Sequence, residues 1–215
     1  MRVRYLSGED MAKKRNWIVP LVVAAIIGCL PLLGTSVKQL NLSEMVQIAD
    51  RVFYGKCISA ESKLDPDIGI TVREYRFSVL ENLKGVSEEE EVLVRQVLMM
   101  GSHGPSIPGL PSYYKGQGLL LFLHGDSRLG LTSPVGMSQG TFRPQRLDNG
   151  EVGFVNPQKN RNLTHAMEPG SPAAQALSSN EMSMLDSERP VPLRMFREMV
   201  RKIDEVHERD GGVVR

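Results

Sequence analysis

Gly136-Met137-Ser138-Gln139-Gly140 spells the nucleophile-elbow pattern of the α/β-hydrolases, and Asp148 and His165 follow in the chain order such a triad uses. A serine in that pattern attacks an ester only when a sharp strand-to-helix turn presents its hydroxyl to the histidine. Thr141-Phe142-Arg143-Pro144 follows here, a strand-like run with a proline in it, and no alternation of strands and helices surrounds it. We therefore expect no catalytic residue and hold an extracytoplasmic serine hydrolase using Ser138 as the alternative. The histidines, His103, His124, His165 and His207, have none of the spacings that place two ligands on one metal. Glu88 to Glu91 reads as a solvated turn, because adjacent carboxylates cannot all face one ion. No metal and no cofactor are expected.

Two cysteines remain to be placed. Cys57 falls on the core-facing register of a strand, where a lone thiol is a small buried hydrophobe. Cys29 closes Ile26-Ile27-Gly28-Cys29, a match to the bacterial lipobox, in which the cysteine is acylated after cleavage before it. The apolar Leu30-Pro31-Leu32-Leu33 that follows is unlike a lipoprotein's mature start, so a cysteine lying within an apolar leader is the preferred reading and lipidation the alternative.

Binding is easier to place than catalysis. Ser102 to Pro111 is a loop rich in Gly and Pro, and His124 to Arg128 is a polar turn after a strongly apolar run. Loops on a rigid scaffold carry function more often than cores do. His103, Ile107 and Leu110 on the first loop, with His124, Asp126 and Arg128 on the second, are the candidate binding residues.

The elements that position these loops follow from periodicity. Phe53, Gly55 and Cys57 share one face of a first strand, and Tyr75, Phe77 and Val79 one face of a second. Asp65-Pro66-Asp67-Ile68-Gly69 between them carries turn residues, which predicts an antiparallel hairpin. Val92–Leu98 reads as a third strand, and the unbroken apolar run Leu119–Leu123 as a buried central one. Leu129–Val135 suggests a further short strand. Asp148-Asn149-Gly150 predicts a hairpin joining Phe142–Leu147 to Glu151–Val155. Ahead of the first strand, Leu42, Met45, Val46 and Ala49 make a short helix stripe that Ser43 is placed to cap. Leu193, Phe196, Val200, Ile203 and His207 predict an amphipathic carboxy-terminal helix. Residues 156–190, rich in Asn, Pro, Ser and Met without a period, read as an irregular linker.

The amino terminus has its own character. Lys13-Lys14-Arg15 precedes the apolar run Trp17–Leu33, and small residues Gly34-Thr35-Ser36 follow, the pattern of a secretory signal. Met11 is an alternative start, and a retained single-span anchor is the alternative fate of the segment. Residues 1–36 hold five basic and two acidic side chains, leaving 21 basic against 23 acidic in the rest, a net of −2. That balance gives no general attraction for phosphate backbones, and we expect no nucleic-acid partner. Asn41-Leu42-Ser43 and Asn162-Leu163-Thr164 fit the glycosylation sequon and are expected to be unmodified in a bacterial exported protein.

Ala49-Asp50, Gly55-Lys56, Tyr75-Arg76-Phe77-Ser78-Val79 and Leu83-Lys84-Gly85 form a pattern with a precedent. It resembles a group of bacterial exported proteins of unassigned function and, more distantly, is similar to the netrin-like module of the tissue inhibitors of metalloproteinases. The resemblance covers about 49–142 and implies a five-stranded OB-like barrel. Those inhibitors chelate the protease zinc through an amino-terminal cysteine held by disulfides, a framework this sequence lacks, so inhibition is not carried over to any residue.

The expectation is thus a mainly β protein, an antiparallel OB-like β-barrel over 37–155, with an N-terminal signal or hydrophobic helix (1–36), a short helix before strand one, the 156–190 linker and a C-terminal amphipathic helix (191–209). We expect a periplasmic or secreted monomer with a non-enzymatic role, binding an envelope protein or extracellular ligand and touching a membrane only through its N-terminal segment. A lipid- or membrane-anchored accessory protein acting on an envelope protease is a further alternative.

Overall fold

The computed structural model describes residues 37–87, 91–98, 107 and 109–211. Helix α1 (Leu42–Ile48) leads into two 15-residue strands, β1 (Arg51–Asp65) and β2 (Ile70–Lys84). β3 (Glu91–Val97), β4 (Gly118–Leu123), β5 (Thr141–Arg146) and β6 (Val152–Val155) follow. Two short helices, α2 (Pro172–Ala176) and α3 (Ser179–Asp186), precede the two-residue β7 (Val191–Pro192) and the long helix α4 (Leu193–Gly211). All pairings are antiparallel, in the order β3-β2-β1-β4-β5-β6-β7. The fold is mainly antiparallel β with a few helices. The ladder ends at β3 and at β7 without closing, and one backbone bond, from Thr132 N–H to the Arg95 carbonyl (2.9 Å), reaches β3's outer edge from the chain after β4.

The β1–β2 hairpin turns at Gly69 (φ 65°), with Asp65 opposite Ile70. β1 carries three register shifts along its length. One falls at Gly55, where a Cβ would come within 2.9 Å of both the Phe53 ring and the Ser78 carbonyl. Gly85 (φ 68°) ends β2 against the Asp50 backbone, where no side chain fits. Lys84 beside it donates to the Val46 carbonyl at the end of α1 (2.8 Å) and pairs with Asp204 of α4 (2.7 Å). The Ala-Asp and Lys-Gly pairs of the sequence pattern are therefore the seam where α1, β1, β2 and α4 meet.

Both faces of β4 are buried, and two cores result. Leu120 and Phe122 join Val52, Phe142 and Phe154 under α1 and α4, with the Phe142 and Phe196 rings 5.0 Å apart edge to face. Leu119, Leu121 and Leu123 face the other way, against Phe53, Cys57, Tyr75, Phe77, Val79, Val92 and Val94. Tyr113 caps this second core, its ring 4.9 Å from Tyr75 and 5.4 Å from Phe77. Cys57 is fully buried there, and burial pushes its thiol pKa up, with the Ser59 backbone opposing.

Three local readings differ from the sequence expectation. Asn41, not Ser43, caps α1: its side chain accepts from Glu44 N–H while the Glu44 carboxylate takes the Asn41 N–H, a reciprocal capping box. Leu129–Val135 is turn and extended chain with a single bridge, Leu123 to Pro134, because Gly130 (φ 66°) and Pro134 interrupt a ladder. Residues 156–190 hold α2, α3 and a set of buried asparagines where no element was expected. Asn156 donates to the Gln139 carbonyl and Asn162 Oδ1, Asn162 to the Leu40 carbonyl (2.7 Å), and Asn160 to the carbonyls of Phe154 and Arg189. Gln139 completes the set by accepting from Leu40 N–H and donating to the Lys38 carbonyl, both at 2.9 Å.

Among the described residues no helix is long and apolar enough to cross a membrane. The expected leader, with Cys29, lies outside the described residues.

A candidate binding cleft at the end of strand β3

A cleft of about 330 Å³ opens where the end of β3 meets two loops. Arg95, Gln96 and Val97 form one wall, Ile107 and Leu110 a second, and the chain from His124 to Ser133 a third, with Met137 below. Its volume falls at the small end of the range for ligand sites, and its surface is mostly aliphatic.

Each wall has a local cause. Gly125 lies against Asp50 so closely that a Cβ would collide with the carboxylate, which fixes the turn after β4. Thr132 Oγ1 donates to the His124 carbonyl (2.7 Å), His124 N–H to the Ser133 carbonyl (3.1 Å), and Ser127 N–H to the Leu131 carbonyl (2.8 Å). These bonds fold 124–133 back on itself. Met137 sits at φ 63°, an unfavourable region for a side chain this large, held by its N–H to the Pro134 carbonyl (3.2 Å).

Charge on the walls is internally compensated. Arg95 donates from Nε to Glu74 (3.0 Å), from Nη1 to the Leu129 carbonyl (3.2 Å), and from Nη2 to Asp65. Lys63 also pairs with Glu74, at 2.9 Å. Two carboxylates and two cations thus cancel, and no acidic residue is among the described residues that line the cleft.

Gln96 is different. Val92, Val94 and Gln96 alternate onto the face of the second core, so the amide lies at that core's open end. Gln96 is 5% exposed, and its Nε2 has no hydrogen-bond partner. Four other buried side-chain atoms among the described residues lack partners, on Arg51, Arg73, Asn82 and Gln158, but those side chains belong to half-buried residues. The Tyr113 hydroxyl lies close to the Gln96 amide. Burial drives the Tyr113 pKa well above the usual phenol range, opposed first by its contact with Thr141 (3.3 Å) and weakly by the Gln96 amide, which is near without reaching hydrogen-bond geometry.

Of the candidate binding residues, Ile107, Leu110 and His124 line the cleft. Asp126 turns aside to Arg51 (2.5 Å), Arg128 is exposed and is not part of the lining, and His103 lies outside the described residues. Gln96 lies on neither candidate loop, and its only mark in the sequence is a polar residue on the buried register of a strand.

The hydrolase constellation is not assembled. Ser138 lies in a 3₁₀ turn (Met137–Gly140) that runs into β5, not into a helix. Asp148 is in the exposed β5–β6 turn, and no hydrogen bond among the described residues joins Ser138 to a histidine or carboxylate. One serine–histidine contact does exist, Ser43 Oγ to His207 Nε2 (3.2 Å). It pins α1 to α4 and lies outside the cleft, and 164 residues of separation hide it from the sequence. No group of three or more His, Cys, Asp or Glu among the described residues could hold a metal ion. No family model, characterised protein or solved structure matches this chain.

Proposed function

We propose that the chain is an exported envelope protein whose role is binding, with no chemistry of its own, and that its ligand seats in the cleft at the end of β3. One observation carries the reading: a mostly apolar cleft at whose edge the buried Nε2 of Gln96 has no hydrogen-bond partner among the described residues. Native interiors rarely leave such a group, and where they do an external partner is a natural account. Export rests on the Lys13-Lys14-Arg15 and apolar segment pattern. Residues of one face of β1 to β4 pack on one another as a single core, and Thr132 bridges to β3; both favour an OB-like barrel as the parent of this sheet.

Site-specific photo-crosslinking in cells tests the binding role. With a benzoylphenylalanine in place of Leu131 in the full chain, we expect a discrete adduct in the envelope fraction. The same group in place of Glu208, exposed on α4, should give none. Absence of an adduct at Leu131, or equal labelling at both positions, overturns the reading.

A further inference from the structure

From the chemistry of its walls we infer that the cleft takes a neutral amide, specifically an extended peptide segment with an aliphatic side chain. The inference rests on the binding role proposed above and adds the class of ligand. Three features select it. The aliphatic walls, Ile107, Leu110, Leu131 and Met137, suit a branched side chain. Arg95, the one Lys or Arg among the described lining residues, is already neutralised by Asp65 and Glu74, so a ligand carboxylate would be buried without a counter-charge, at high cost. A cationic ligand meets no carboxylate among the described lining residues.

The third feature is Gln96 itself. A primary amide has a donor and an acceptor end, and the carbonyl of a peptide bond is the complement of the donor. Turning the Gln96 amide by half a rotation leaves its shape unchanged. Its oxygen then takes the place beside the Tyr113 hydroxyl as an acceptor, and its NH₂ meets a ligand carbonyl. β3 supplies a matching backbone. Leu98 N–H bonds to the Thr71 carbonyl on β2, which fixes the phase of the ladder and turns the main-chain groups of Arg95 and Val97 outward. Thr132 takes the Arg95 carbonyl, and Val97 borders the cleft. An extended segment entering there finds both a strand edge and an amide, the logic of strand addition.

The test titrates the full chain, as purified from the envelope, with three probes: N-acetyl-leucine methylamide, N-acetyl-glycine methylamide and 4-methylpentanoate. The side-chain NH₂ resonances of Gln96 report the contact. We expect the leucine amide to bind at least tenfold tighter than either of the others and to shift those resonances. Gln96→Met should weaken it at least tenfold while leaving the unfolding midpoint unchanged or higher, an outcome a purely structural glutamine would not give. Equal binding of 4-methylpentanoate marks an aliphatic-acid site and overturns the inference. So does undiminished binding to Gln96→Met, or no binding by any probe. A Leu131 adduct persisting alongside any of these results would leave the cleft a binding site and reject only the peptide.

Discussion

Four side-chain amides buried around residues 38–42 contrast with a fifth at the end of β3. Asn156, Asn160, Asn162 and Gln139 are each at most 3% exposed, and each both donates and accepts. Gln96, at 5% exposed, is nearly as well hidden and leaves its Nε2 without a partner. A satisfied buried network fixes one packing, whereas an unsatisfied group costs about 1–3 kcal/mol and persists only where something else compensates. The first group acts as structure. The fifth is, in the function proposed above, where the ligand makes its polar contact.

Mutations can break this contrast. The largest effect should come from outside it, as a yardstick: Phe196→Ala empties the ring stack between α4 and the sheet and should cost about 3–5 kcal/mol in chemical denaturation. Asn156→Ala should cost about 2–4 kcal/mol, because Asn162 Oδ1, the Gln139 carbonyl and the N–H groups of Gln158 and Asn160 all lose a partner. A loss below about 1 kcal/mol would erase the distinction between the two sets of amides.

Glu181→Gln sharpens the contrast through pH. Burial raises the Glu181 pKa, but Lys202 (2.7 Å) and the Ser178 hydroxyl and N–H together outweigh it, so the net shift is downward. A carboxylate with a lowered folded-state pKa stabilises above its ordinary value and loses that contribution as pH falls through the folded value. Wild type should therefore exceed Glu181→Gln by roughly 1–2 kcal/mol at neutral pH, and the two should converge in acid. Denaturant midpoints across pH read this directly, and a gap that stays constant into acid refutes it. Gln96→Met comes last, with a predicted change between zero and a gain of about 1 kcal/mol.

Hairpins were the part most open to reading, since Gly69 and Gly150 sit where positive φ is required and their flanking strands alternate. The third strand alternates likewise, and the fourth was legible from its unbroken apolar run. Residues 156–190 were not. α2 and α3 are five and eight residues long, too short for a hydrophobic period to declare itself. The turns between β6 and α2 depend on Lys159, Asn160 and Ala166 in the left-handed region, and only the asparagine advertises that. Of the cleft, the sequence offered its two loops but not their meeting with β3, which depends on Gly125 closing on Asp50, 75 residues earlier. Loop polarity also misled: Asp126 serves Arg51, while the cleft is furnished by aliphatic side chains.

The stitching of residues 38–42 has a mechanical consequence. Gln139 grips Lys38 and Leu40, Asn162 holds the Leu40 carbonyl, Asn41 donates to the His165 carbonyl, and Leu42 N–H bonds to that of Leu163. Tension applied at Val37 would be shared among these bonds at once and passed to the turn before β5 and the segment after β6, sparing the first hairpin. Pulled from that end, the domain should resist as a block and then give way in one step.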